Sequence, residues 1–246
     1  PGAEVPPLDN ATNIREFRLL GEVACDMANR SHKAYEEQKQ FIENASHELQ
    51  TPLAIARGKL ELFAESENMT EEQLKELDAI YTTLGRAVKL NKALLLLSRI
   101  ENGQYTETEN VSIDELLEEV LPDLMEIYEH KQISLEQSKG DSPFIIRCNA
   151  SLAHILVTNL VKNALLHSPE GGRIVITTTA SSLTIKNSGT AALDSSQLFK
   201  RFAHNVDRKK ESTGLGLAIS EAIASSCSLH LTYHWEEGMH VFSLVK

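Results

Sequence analysis

Cysteine, aromatic residues and long apolar runs are all scarce in this chain, and each shortage closes off a class of protein. The three cysteines, Cys25, Cys148 and Cys227, are odd in number and far apart, with no Cys-x-x-Cys pair. A disulfide framework or a structural zinc site is therefore not expected, and a reducing compartment fits best. Aromatics are only 5% of the residues, which points to aliphatic helix packing rather than a β-sandwich. No run of roughly 18 apolar residues occurs, so no membrane span is expected. The Gly-x-x-x-x-Gly-Lys pattern of a P-loop and the Gly-x-Ser-x-Gly elbow of serine hydrolases are also missing. The chain opens "PGAEVPPLDN", with no methionine and no signal peptide, and is expected to be a soluble piece of something longer.

The residues present are enough for one large domain or two modest ones: 246 in all, 41% of them hydrophobic. The formal net charge is −11. A surface that acidic argues against nucleic acid as a partner, so an anionic ligand would need a local cationic or amide-rich pocket.

Two helical segments come first. From about Ile14 to Glu65 the chain is charged and helix-favouring, and Ile42, Ala45, Leu49, Ala56, Leu60 and Phe63 form one stripe at steps of mostly three or four. "AESENMTEEQ" breaks the pattern. Thr70 and Gln73 then make a capping-box signature for a second helix, whose stripe runs Leu74, Leu77, Tyr81, Leu84, Val88 and Leu95 with Asn91 as a polar intruder. Gly103 is the expected stop. A hairpin of two such helices cannot bury both stripes alone. Pairing with a second copy gives a four-helix bundle and a homodimer; packing on the chain's own downstream part is the other solution.

After Gly103 the texture is α+β. A helix is expected in "VSIDELLEEVLPDLMEIYEHK", capped by Ser112 and Glu115, then strands in "QISLEQ" and "FIIRC". "SLAHILVTNLVKNALLHS" reads as a helix and "RIVITTTA" with "SLTIKNSG" as a strand hairpin. "GLGLAISEAIASS" reads as a helix, and "LHLTYHW" and "MHVFSLV" as closing strands. Close-linked strands imply a mixed sheet with helices on one face. His230 and His234 share the outer face of a two-faced strand, so with His240 they are not expected to form a metal site.

The stretch "FIENASHELQTPLAI" carries the first candidate for chemistry. On a helix, the neighbours of His47 are Glu43, Asn44, Gln50 and Thr51, all polar. The stripe residues Ala45 and Leu49 lie about 200° around the helix, so His47 is expected to face away from the core. The adjacent Glu48 can fix the imidazole tautomer at Nδ1 and leave Nε2 as a nucleophile. Pro52 removes the backbone bond to the carbonyl of Glu48 and favours a bend beside the histidine.

"SHELQTPL" closely resembles the H box of bacterial sensor histidine kinases, whose common form is S-H-E-L-R-T-P-L. "QKQFIENA" and "KLNKALLLLSRIENGQ" are similar to that family's dimerisation and phosphoacceptor domain. The likeness continues in order. "NLVKNALLHS" resembles the N box of the ATP-binding domain, "IKNSGT" stands where the first glycine box belongs, "LFKRF" resembles the F box with Phe199 and Phe202, and "STGLGLAIS" resembles the second glycine box. The resemblance covers about residues 14–246.

The resemblance implies a specific organisation: residues 1–40 a linker and signalling helix, 41–104 a dimeric helical hairpin, and 105–246 an α/β sandwich that binds ATP with Mg²⁺. It implies that His47 accepts the γ-phosphoryl group, with Glu48 as base or orienter, and passes it to an aspartate of a response regulator. Thr51 would help position water to dephosphorylate that regulator. In the nucleotide site it assigns Asn159 near the phosphates, Asn163 as metal ligand, His167 near the nucleotide, and Gly189, Thr213, Gly214, Leu215 and Gly216 as backbone contacts. Arg208, Lys209 and Lys210 would belong to a cationic lid. The full-length protein would sit at the cytoplasmic face of the inner membrane through upstream segments. The sequence departs from the pattern at four places. Asn187 replaces the aspartate that accepts from the adenine amino group, Ala191 the second glycine of the first box, Ser212 the leading glycine of the second, and Leu166 a lysine after the N box. An asparagine carbonyl can still accept that bond. These departures leave a second reading open, a degenerate nucleotide-binding scaffold with weak or no kinase activity.

Overall fold

The computed structural model describes residues 15–64, 69–201 and 214–246; within the first segment the side chains of 15–18, 36–43, 46 and 47 lie outside the description. Helix α1 runs Arg15–Ala64 and helix α2 Glu71–Glu101, and they pack as a hairpin. At 1.5 Å per residue α1 is about 75 Å long, and it continues through Pro52. Thr70 starts α2 with both halves of the capping box in place: its Oγ1 accepts from Gln73 N at 3.2 Å, and its own N–H donates to Gln73 Oε1 at 2.9 Å. Gly103, at φ +63°, ends the helix, with Gln104 N bonded to Arg99 O at 3.1 Å. Only a residue without Cβ enters that conformation freely.

The hairpin buries its stripes only in part. Ala45, Ala56, Leu60, Leu84 and Val88 are half-buried and Leu77 and Leu95 buried, whereas Leu49, Phe63, Leu74 and Tyr81, expected in the stripes, are exposed, as are Ile55, Leu62 and Ile80. So many large apolar side chains on one hairpin mark an unpartnered surface.

Strand β1 (Glu109–Ser112) pairs antiparallel with β3 (Ile145–Cys148) in a small sheet apart from the main one. The main sheet has five strands in the order β2 (Ser134–Lys139), β4 (Arg173–Thr179), β5 (Ser182–Ser188), β7 (Met239–Val245), β6 (His230–Glu236). Only the β2–β4 pair is parallel. The mixed sheet and both strand hairpins agree with the sequence expectation. The separate β1–β3 sheet was not legible, because β1 is recognisable only through its partner.

Helices α3 (Ile113–Ile127), α4 (Ala150–His167) and α6 (Gly216–Ser226) share one apolar core with the sheet; α5 is a single turn, Ser195–Leu198. Ile113, Leu117, Leu156, Val157, Ile176, Leu183, Ile185, Ile223 and Leu244 are all buried in it. Complete burial of such a side chain contributes roughly 1.5–3 kcal/mol. Leu97 and Ile100 at the end of α2 belong to the same cluster, so the hairpin is docked against α6. Asp114 ties α3 to the strands: its carboxylate accepts from Phe144 N at 2.8 Å and from Thr178 Oγ1.

One expectation is corrected. Cys148 and Cys227 are bonded, with Cα atoms 5.4 Å apart, and Cys25 is the one free cysteine. The pair lies 79 residues apart in sequence. The fold brings the end of β3 beside the C-terminus of α6, a proximity that cysteine spacing does not reveal. Cysteine usage therefore gives no assignment of compartment. Among the described residues, no helix is long and apolar enough to cross a membrane.

Candidate functional site

Helix α4 owes its start to Asn149, whose Oδ1 accepts from Leu152 N at 3.3 Å. Its end is held by Lys131, a buried cation from the short 3₁₀ turn Glu129–Lys131. Lys131 Nζ donates to the carbonyls of Leu165, Leu166 and Ser168 at 2.6, 2.9 and 2.7 Å. These are the orphan acceptors of the last turn, at the negative end of the helix dipole. Fixed at both ends, α4 carries Asn159 and Asn163, both half-buried and one turn apart, and His167, exposed at its last position. An amide oxygen is a hard, neutral donor of the kind Mg²⁺ accepts alongside water and phosphate oxygens, so Asn163 fits that role. No group of three or more His, Cys, Asp or Glu side chains placed for a metal occurs among the described residues.

α4 packs on both β5 and α6, which brings the other candidates to the same layer. Asn187, near the end of β5, is 1% exposed. Its Nδ2 donates to Ser188 O at 3.2 Å, while its Oδ1 has no partner among the described residues. A buried acceptor left alone costs about 1–3 kcal/mol, so a ligand that donates to it would recover that amount. Gly189 follows the strand. Gly214, at φ +72°, precedes the buried Leu215, and Gly216 begins α6. No side chain caps α6, and a Cβ on Gly216 would meet nothing within 4 Å. Among the described residues, then, no side chain takes up the N-terminal amides of α6, the kind of donors an anion accepts from.

The sheet register shows what sequence reading missed. Ile174, Asn187, His240 and Trp235 stand in one row across β4, β5, β7 and β6. His240, set aside in the sequence as one of three strand histidines, is buried beside the nucleotide-site candidates, and burial pushes its imidazole below the ordinary range. Its signal in the sequence was only its even spacing with Phe242 and Leu244 along β7. Asp194 caps α5, and the hydroxyl and backbone N–H of Ser196 hold its carboxyl below the usual range.

His47 lies in α1, with its side chain outside the described part. Glu48 and Thr51 are exposed on the same helix. Arg208, Thr213, Phe202, Ser212, Lys209 and Lys210 fall outside the described residues.

Two family models match the chain. The model of the His Kinase A phospho-acceptor domain matches residues 37–103. That of the histidine kinase-, DNA gyrase B- and HSP90-like ATPase matches residues 148–244. The heme sensor protein HssS of Staphylococcus saprophyticus is 30% identical over 229 residues, spanning 87% of this chain and 47% of that protein. The sensor protein QseC of Salmonella typhimurium is 27% identical over 222 residues, spanning 89% and 49%. The chain thus spans about half the length of the curated relatives it matches. Full-length ShkA in complex with AMPPNP superposes with a TM-score of 0.64 at 22% identity, over 83% of this chain and 45% of that one, a likeness of fold.

Proposed function

Because the chain belongs to the sensor histidine kinases of two-component systems, we propose that it uses ATP with Mg²⁺ to phosphorylate His47 and hands the phosphoryl group to an aspartate of a response-regulator receiver domain. One observation supports this above the others: the buried, unpartnered Oδ1 of Asn187, in the position where the family accepts the adenine amino group. Because Ser188 O engages Nδ2, the amide presents its acceptor, as a carboxylate would. The N-terminal amides of α6, without a side-chain cap among the described residues, take the phosphates. Asn163 would hold Mg²⁺ through its amide oxygen, with Asn159 beside the phosphates; the ion, when bound, offsets phosphate charge.

At His47, Nε2 attacks the γ-phosphorus in line. The Nε2–P bond forms, the bond to the β–γ bridging oxygen breaks, and ADP leaves. Glu48 orients the ring through Nδ1–H and takes the proton the ring gives up. Thr51, one turn further along α1, positions water for dephosphorylation of the receiver. His47 acts within a homodimer, whose second copy covers the exposed apolar residues of the hairpin.

Incubation with γ-labelled ATP and Mg²⁺, beside His47→Ala, tests this. Acid-labile label is expected on the wild type alone. No label at millimolar ATP, with ATP still bound, would instead identify a nucleotide-binding scaffold.

A further inference from the structure

The buried histidine behind the site has a role of its own. We propose that His240 is a positioning residue for the nucleotide base: together with Tyr233 it holds residues 189–193 beside Asn187, and so sets how tightly ATP is bound. This rests on the nucleotide reading above.

His240 Nδ1 lies 3.1 Å from Tyr233 Oη, and Tyr233 Oη accepts the backbone N–H of Leu193 at 2.9 Å. A tyrosine hydroxyl has a single proton. With Leu193 N–H on one lone pair, Tyr233 still has that proton to give to Nδ1, and an imidazole that accepts it there carries its own proton on Nε2. Nε2 abuts Gly189. A Cβ built on Gly189 would stand 2.2 Å from Nε2, 2.5 Å from Cδ2 and 3.0 Å from Trp235 Cζ3. Packing by the ring, and not a left-handed φ, is what excludes a side chain there.

The segment after β5 is therefore held at both ends. Gly189 N donates to Gly238 O at 3.0 Å with the imidazole against its Cα, and Leu193 N is bonded to Tyr233. Both anchors come from β6, β7 and the turn between them. The ring itself is fixed by Trp235, whose centroid lies 4.8 Å away edge-on. Thr190, Ala191 and Ala192 between the anchors are exposed. Asn187, in the same cross-strand row as His240, immediately precedes this segment. A base bonded to Asn187 thus meets backbone whose place depends on the His240–Tyr233 pair.

The test measures ATP binding by calorimetric titration, and the KM and kcat of His47 labelling, for wild type, Tyr233→Phe, His240→Leu, His240→Gln and the Tyr233→Phe/His240→Leu double variant. Tyr233→Phe and His240→Leu should each raise the Kd and KM for ATP about tenfold, with kcat within about twofold. The double variant should be no worse than either single one. His240→Gln, whose carboxamide can accept from Tyr233, should restore most of the affinity. If His240→Leu does not fold, Tyr233→Phe, which removes one oxygen, carries the test. Wild-type affinity in the variants, additive losses, or a fall in kcat at unchanged KM would each overturn the proposal while leaving the nucleotide reading intact. A wild type that binds no ATP overturns both.

Discussion

Arg201 Nη2 lies 2.5 Å from Glu101 Oε1, joining a residue three positions beyond α5 to the last residue of α2. The pair reinforces the packing of Leu97 and Ile100 against the ATP-binding domain. The proposed phosphorylation of His47 would require that domain to reach a point well up the hairpin, so docking at the end of α2 would compete with it. A partly exposed ion pair contributes up to about 1 kcal/mol. Arg201→Ala should therefore raise the initial rate of His47 labelling at saturating ATP by up to about fivefold. A slower variant would mean that the docked arrangement is the productive one.

Asn187 sets stability against function. Asn187→Leu removes the lone buried acceptor with little change in volume. The ligand-free protein should melt at the same or a higher temperature, because a cost of about 1–3 kcal/mol is lifted. ATP, which should raise the melting temperature of the wild type, should barely move that of the variant. Melting curves with and without ATP read both effects.

Gly189→Ala places a methyl group on the His240 ring. Overpacking of this kind costs roughly 1–3 kcal/mol. His240→Ala in the same chain should recover much of that loss, since the ring is the obstacle. Urea unfolding of the two single variants and the double one measures the coupling.

Burial lowers the pKa of His240, which gives stability a definite pH dependence. Above the ordinary histidine value of about 6.5 the ring is neutral whether the chain is folded or not, and it contributes nothing to the slope. As pH falls below that value the unfolded chain takes up the proton first, so stability declines until the lower folded-state pKa is passed. His240→Gln should flatten this part of the profile, as followed by denaturant unfolding between about pH 7.5 and pH 5.

Lys131→Met should cost about 3 kcal/mol, because the carbonyls of Leu165, Leu166 and Ser168 lose a charged donor in a buried place. The loss loosens the end of α4 that carries Asn163, so nucleotide affinity should fall along with stability. Unchanged melting would show that water replaces the ammonium group.

Short-range order was legible in the residues themselves. Thr70 and Gln73 announce the start of α2, Gly103 its end, and strict alternation the strand β6, because each signal acts within a few residues of where it is written. The linear order of the boxes, from "SHELQTPL" to "STGLGLAIS", likewise identified the family. Contacts between distant segments were decided by the tertiary fold. Cys148 meets Cys227, β1 finds β3, and His240 closes against Gly189 only because sheet register and helix packing carry them together. Such proximity depends on the summed burial of a whole core, and no local spacing encodes it.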